Sequence, residues 1–398
     1  MKASVSTFID LSRWMAAFMV VISHARNLVL VNYEAVHQKG LLDRFIYSVT
    51  GFGHEAVVVF FVISGFLVGG YTYDRWRREG PDLTGYACAR VSRIYTVLIF
   101  ALLIGASLDY TGLHWLNASA IYSDAQQRQI TSIQYAVETT MDAPTFLSSL
   151  LMLQGMFAPT FGSNVPLWSL AYEWWYYCLF ALIGVAVLET GRRRAACAAL
   201  ALFIGVLLPP KVVLWGAIWC MGFVAYRWVW SRWWRPPPAL GMVIFLASLL
   251  VSRVVRGAPG VDDKGVLLDA FVRDGMVGIG YVLGLVSTSR MTSTIVWPRL
   301  QRQLSDFSYT TYLFHFPALL LLVSGSYQTF GIDFPQQPGV AGLAWLITCV
   351  MLVYVYCFAS YVLIERQTPQ VRRRLESMVR RGARALTAAP PDAKADTH

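Results

Sequence analysis

Arg13 and His24 stand eleven residues apart inside the first apolar segment of a 398-residue chain. The segment reads Phe8-Ile9-Asp10-Leu11-Ser12-Arg13 and runs on to Val20-Val21-Ile22-Ser23-His24. On a helix, eleven steps of about 100° end about 20° past three full turns, so both side chains share a face, roughly 16 Å apart. Ionisable residues are costly inside a membrane span and by default mark function there. A histidine, titrating near neutrality, suits general-base work on a hydroxyl. The competing role for His24 is a packed ring hydrogen-bonded to a neighbouring helix. For Arg13 the competing role is snorkelling to the membrane edge. Asp10, three residues before Arg13, is spaced to pair with it and share the desolvation cost.

Further candidates follow along the chain. Arg90-Val-Ser-Arg93 places two guanidinium groups at i and i+3, on one helix face, a spacing fit to grip phosphate oxygens. Alone, that pattern reads equally well as a basic flank of a span. Trp168-Ser169-Leu-Ala-Tyr172-Glu173 opens another apolar segment. Interfacial anchoring accounts for its aromatic residues but not for Glu173, a carboxylate suited to orient a histidine or bind a sugar hydroxyl. His54-Glu55 opens the second segment as an expected solvated pair, and Ser64-Gly65 within it would let another helix approach closely. His315 is a second histidine in an apolar segment, two residues before Pro317.

The elements that must carry these residues are membrane helices. The chain is 56% hydrophobic and 14% charged, with a mean hydropathy of +0.49. Soluble domains carry about 25% charged residues, so this chain could not cover a globular surface. Its apolar runs are near the length of a spanning helix, and they lack the short alternation of barrel strands. The reading is an all-α polytopic membrane protein with about ten spans, at about 8–30, 54–72, 92–109, 167–188, 195–209, 212–230, 239–255, 267–287, 306–325 and 341–364. The stretch 146–157 is too short to span and reads as re-entrant or interfacial. A cleaved leader is disfavoured because Arg13 interrupts the early apolar run and further spans follow.

With the N-terminus inside, 23 of the 33 Lys and Arg residues fall on the inner side, nine fall outside and Arg13 lies within the membrane. That bias supports an N-in, C-in topology. It also accounts for the net charge of +10 without nucleic acid. The longest outer loop covers about 110–166. Residues 1–365 form the membrane domain, and 366–398 form a basic cytoplasmic tail, a surface helix followed by a disordered end from Ala388. Six cysteines show no metal or disulfide spacing, and no metal site is expected. No internal repeat of the kind found in many transporters is visible.

Taken in order, Arg13 with His24, FFVISGF at 60–66, RVSR at 90–93, WSLAYE at 168–173, SYTTYLFHFP at 308–317 and IERQTP at 364–369 resemble acyltransferase family 3. The resemblance spans about residues 8–366. It implies transfer of an acyl group, often acetyl, from acyl-CoA to a hydroxyl of a carbohydrate or other acceptor, typically a surface polysaccharide. It matches Arg13 and His24 to the catalytic pair, Arg90 and Arg93 to the donor-holding pair, and Trp168, Ser169 and Glu173 to the third motif. Ser12 and Trp14 stand where the family commonly has Gly beside the first Arg, and Val58 and Val59 stand where it often has Asp.

The expected catalytic residues are therefore His24, Arg13 and Glu173, with Asp10, Trp168, Ser169 and His315 in support. Acyl-CoA is the expected co-substrate and no cofactor is expected to be bound. Arg90 and Arg93 would hold CoA phosphates from the cytoplasm while His24 deprotonates an acceptor arriving from outside, near Glu173. Arg13 or a nearby donor would hold the thioester or its oxyanion, with an acyl-His intermediate as the competing route. The expected location is a bacterial inner membrane, with polysaccharide-synthesis machinery as a partner. A transporter of acyl groups or lipid-linked glycans, and a non-catalytic scaffold, are the rival readings.

Overall fold

The computed structural model describes residues 2–125, 128, 130, 132–133, 135–254, 263–292 and 296–387. The expected disordered end from Ala388 lies outside them. Fifteen α-helices follow in order: α1 Ala3–Val29, α2 Leu41–Val49, α3 Gly53–Ser64, α4 Tyr71–Glu79, α5 Leu83–Trp115, α6 Ala143–Leu150, α7 Trp168–Leu188, α8 Gly191–Leu207, α9 Pro210–Trp230, α10 Pro238–Val254, α11 Asp263–Thr288, α12 Pro298–Asp306, α13 Ser308–Phe330, α14 Val340–Leu363 and α15 Thr368–Thr387. No strand occurs among the described residues. Each of the ten apolar segments falls on helical chain, although 92–109 lies inside the longer α5 and 54–72 runs from α3 through residues 65–70 into α4. Among the described residues six helical stretches are long and apolar enough to cross a membrane, or seven when α12 and α13, bent by 48°, count as one span. Large apolar side chains such as Val206, Val355 and Leu363 point outward at 75%, 69% and 74% exposure, a surface made for lipid rather than water.

α1 is the axis of the bundle and packs against α3, α11, α12, α13 and α14. The α3–α9 crossing depends on two glycines. A Cβ on Gly65 would come within 1.8 Å of the Trp219 carbonyl oxygen, and one on Gly222 within 1.9 Å of the Val62 carbonyl oxygen. The close approach expected from Ser64-Gly65 is therefore present. Residues Gly65–Gly70 form a π-helical turn there, a local widening often found at functional sites.

The long loop after α5 is bound to the bundle by satisfied polar groups. Buried Asp109 accepts the Ser163 backbone N–H at 2.8 Å and its hydroxyl at 2.7 Å. Pro317 has no N–H to give the carbonyl of Leu313, one helical turn earlier. The Asn164 side-chain amide donates to that carbonyl instead, at 2.8 Å. Within the loop, the short helix α6 begins at Asp142, whose carboxyl is held below its usual range by hydrogen bonds from Thr145.

Candidate active site

α1 is unbroken from Ala3 to Val29, so the spacing of Arg13 and His24 is preserved, about 16 Å along one face. The two ends have different surroundings. His24 Nδ1 lies 2.8 Å from His315 Nε2, with the two rings nearly parallel at 5°. His315 Nδ1 lies 3.0 Å from the Thr311 carbonyl oxygen and 2.9 Å from that of Tyr312. A carbonyl oxygen only accepts, so His315 Nδ1 carries a proton and, in the neutral ring, Nε2 is the acceptor. His24 Nδ1 must then donate, which leaves the lone pair on His24 Nε2. His315 is fully buried and His24 only half-buried, so the open nitrogen belongs to the more accessible ring.

At the other end, Arg13 lines a cavity of about 540 Å³ with Arg90, Arg93, Ser169, Glu173 and Arg372. Arg93 is paired with Glu365, whose second oxygen accepts the Thr310 backbone N–H at 3.1 Å and hydroxyl at 2.6 Å. Arg93 also covers the Tyr309 ring at 4.6 Å. Its charge is thus committed to joining α5, α13 and the turn after α14. Arg90 has no carboxylate partner among the described residues. It sits against the rings of Tyr86 and Tyr177, at 5.9 and 5.5 Å, with Nε buried and unbonded. Arg372 contributes from α15, so the helix beyond residue 365 helps to form the cavity wall.

A directed chain of hydrogen bonds ends on Glu173. Trp219 Nε1 donates to Ser64 Oγ at 3.0 Å, Ser64 Oγ lies 3.1 Å from Tyr177 Oη, and Tyr177 Oη donates to the Glu173 carboxylate. Each hydroxyl has one proton, so the order of donors fixes the direction.

The structure thus brings Arg13, Arg90, Arg93, Ser169 and Glu173 to one cavity, and it pairs His24 with His315 apart from them. Three expectations change. Asp10 and Arg13 attract each other but form no direct ion pair among the described residues: Asp10 lies beside Ser305 and Asp306 of α12, and Asp306 shares the cavity with Arg13. Glu173 bonds to Tyr177 rather than to a histidine, and it faces the arginines. Arg13 is too far along α1 to touch a carbonyl held at His24. Trp168 lies on a second cavity, with Tyr172.

His54 and Glu55 are not a solvated pair either. Glu55 is buried and accepts the Ser252 hydroxyl at 3.1 Å. His54 Nε2 lies 2.7 Å from buried Asp274, which also accepts Trp215 Nε1 at 2.9 Å. Tyr177, Glu365 and Asp274 were not singled out from sequence. An acidic residue inside the eighth apolar segment was the available signal for Asp274, and the Glu of IERQTP was the signal for Glu365.

The fold and site define a polytopic helical membrane protein with a histidine pair beyond a basic cavity. The family model described as an acyltransferase domain matches residues 6–364, and the chain belongs to acyltransferase family 3. No curated protein and no solved structure matches it.

Proposed function

We propose that this membrane acyltransferase moves a short acyl group, acetyl or similar, from cytoplasmic acyl-CoA to a hydroxyl of a carbohydrate acceptor on the far side of a bacterial inner membrane. The acceptor is an exopolysaccharide, a lipopolysaccharide or a lipid-linked precursor, met beside the polysaccharide-synthesis machinery. In this reading ten helices span, with both termini inside. Arg90 and Arg13 hold CoA phosphates in the basic cavity, and the pantetheine arm crosses the distance along α1. His24 Nε2 takes the acceptor hydroxyl proton as the oxygen attacks the thioester carbonyl carbon. The C–S bond breaks, and the CoA thiolate leaves and takes that proton from His24.

The observation that carries this reading is the histidine pair, whose hydrogen bonds leave an acceptor nitrogen on the half-buried ring. General-base help is worth about 10²–10⁴-fold, so His24→Ala should lower acceptor acylation by that factor with protein level and membrane insertion intact. CoA release by purified protein and mass spectrometry of the glycan measure it. Acylation at the normal rate in the variant would sink the mechanism. An absence of any acceptor-dependent CoA release from the unaltered protein would favour the transporter instead.

A further inference from the structure

The second cavity, of about 510 Å³, lies across the first turns of α7 from the arginines. Its walls are aromatic: Trp168 and Tyr172 from α7, with Tyr135 and Phe157, each 58% exposed, from the loop. Lys211, at the start of α9, is its only charged lining residue among the described residues. The Lys211 ammonium lies 5.8 Å from the Trp168 ring centre and 5.7 Å from that of Trp215. It has no carboxylate partner among the described residues. The positive end of the α9 dipole adds to its field.

The cavity is also tied to the histidine end of α1. Asn27, three residues beyond His24, donates to Ser132 at 3.2 Å, and the adjacent Ile133 lines the cavity. Aromatic walls offer faces to the C–H surfaces of sugar rings. Stacked rings hold an ammonium in place without neutralising it, so its charge stays available to an anion. A neutral glycan would leave that charge unused.

We propose that this cavity is the acceptor subsite and that it takes an acidic glycan, with Lys211 contacting a carboxylate or phosphate on a sugar near the acylated hydroxyl. The assignment rests on the reading of the protein as a glycan acyltransferase, but its test needs no transfer. The full chain, in nanodiscs of neutral lipid and without acyl donor, is titrated with a galacturonic acid trimer and with the matching galactose trimer. Tryptophan fluorescence reports binding beside Trp168 and Trp215.

The acidic trimer should bind about fivefold tighter at low salt, with the margin shrinking as salt screens it. Lys211→Gln should remove the margin, and Lys211→Arg should keep it, which separates charge from folding. Equal binding of the two trimers, binding of neither, or a margin that survives Lys211→Gln would overturn the assignment. So would anionic lipid in the nanodisc, rather than the acidic trimer, shielding Lys211 from amine-reactive reagent. Acidic-trimer preference in a protein that never acylates would sink the proposed reaction and leave the subsite standing.

Discussion

His315 never needs to touch substrate to matter, and replacing it tests the tautomer argument directly. In His315→Leu the His24 Nδ1–H loses its acceptor, which now lies at 2.8 Å. A buried donor left without a partner costs about 1–3 kcal/mol. His24 can recover that cost by moving its proton to Nε2, which removes the lone pair the acceptor hydroxyl needs. Each 1.36 kcal/mol is a factor of ten, so kcat should fall about 10- to 100-fold. KM for acyl-CoA should hold, because the arginine cavity is untouched. His315→Gln can still offer an amide oxygen near the old Nε2 position and should recover part of the rate. ¹⁵N spectra of histidine-labelled protein read the protonated nitrogen of His24 independently of turnover. The reasoning fails if His315→Leu keeps its full kcat, or if kcat drops while His24 remains protonated on Nδ1.

The two arginines of RVSR should separate experimentally. Arg90→Ala should weaken acyl-CoA binding about tenfold, measured by calorimetry, with little change in melting temperature, since Arg90 has no ion pair to break among the described residues. Arg93→Ala strands the buried Glu365 carboxylate and should cost stability, toward the lower end of about 3–5 kcal/mol because the Arg93 side chain is 35% exposed. A detergent melting curve checks this, and Arg93→Ala with unchanged melting would contradict the anchoring role. Gly222→Ala places a methyl 1.9 Å from the Val62 carbonyl oxygen, so α3 and α9 must separate. The expected loss is about 1–3 kcal/mol or more, with weakened acyl-CoA binding as the Trp219–Ser64–Tyr177 chain to Glu173 is disturbed. A normal melting temperature would show that the crossing has slack.

What was legible in the sequence was local. Helical periodicity placed Arg13 and His24 on one face because α1 has no break, and hydropathy located the helices because a lipid-facing surface leaves little choice of residue. What was hidden depended on partners far along the chain. His24 and His315 are 291 residues apart, and Arg93 and Glu365 are 272 apart. Spacing alone could not show that one arginine of RVSR is neutralised and the other free. Glu173 misled for the same reason. Its nearest partner, Tyr177, lies one turn away on its own helix and gives its proton to the carboxylate, while the groups that hold the Tyr177 hydroxyl in place, Ser64 and beyond it Trp219, come from two other helices. Asp10 and Arg13 attract each other without a direct ion pair, because an i,i+3 spacing permits contact without requiring it, and Asp10 also faces Ser305 and Asp306 of α12.

The WSLAYE segment shows why such a motif mixes aromatic and polar residues. On α7, positions 168 and 172 share one face, and 169 and 173 share the next, about 100° around. Trp168 and Tyr172 therefore wall the Lys211 cavity, while Ser169 and Glu173 wall the arginine cavity. Beside this partition Tyr312 Oη donates to the Pro166 carbonyl at 3.1 Å and lies 2.7 Å from Ser169 Oγ. Tyr312 also supplies one of the carbonyls that fix His315. Tyr312 thus touches α7 beside the partition and, together with Thr311, orients His315. The Tyr312 hydroxyl bonds to α7 and the turn before it while its carbonyl bonds to His315 Nδ1, so the wall of the arginine cavity and the histidine pair rest on one residue of α13.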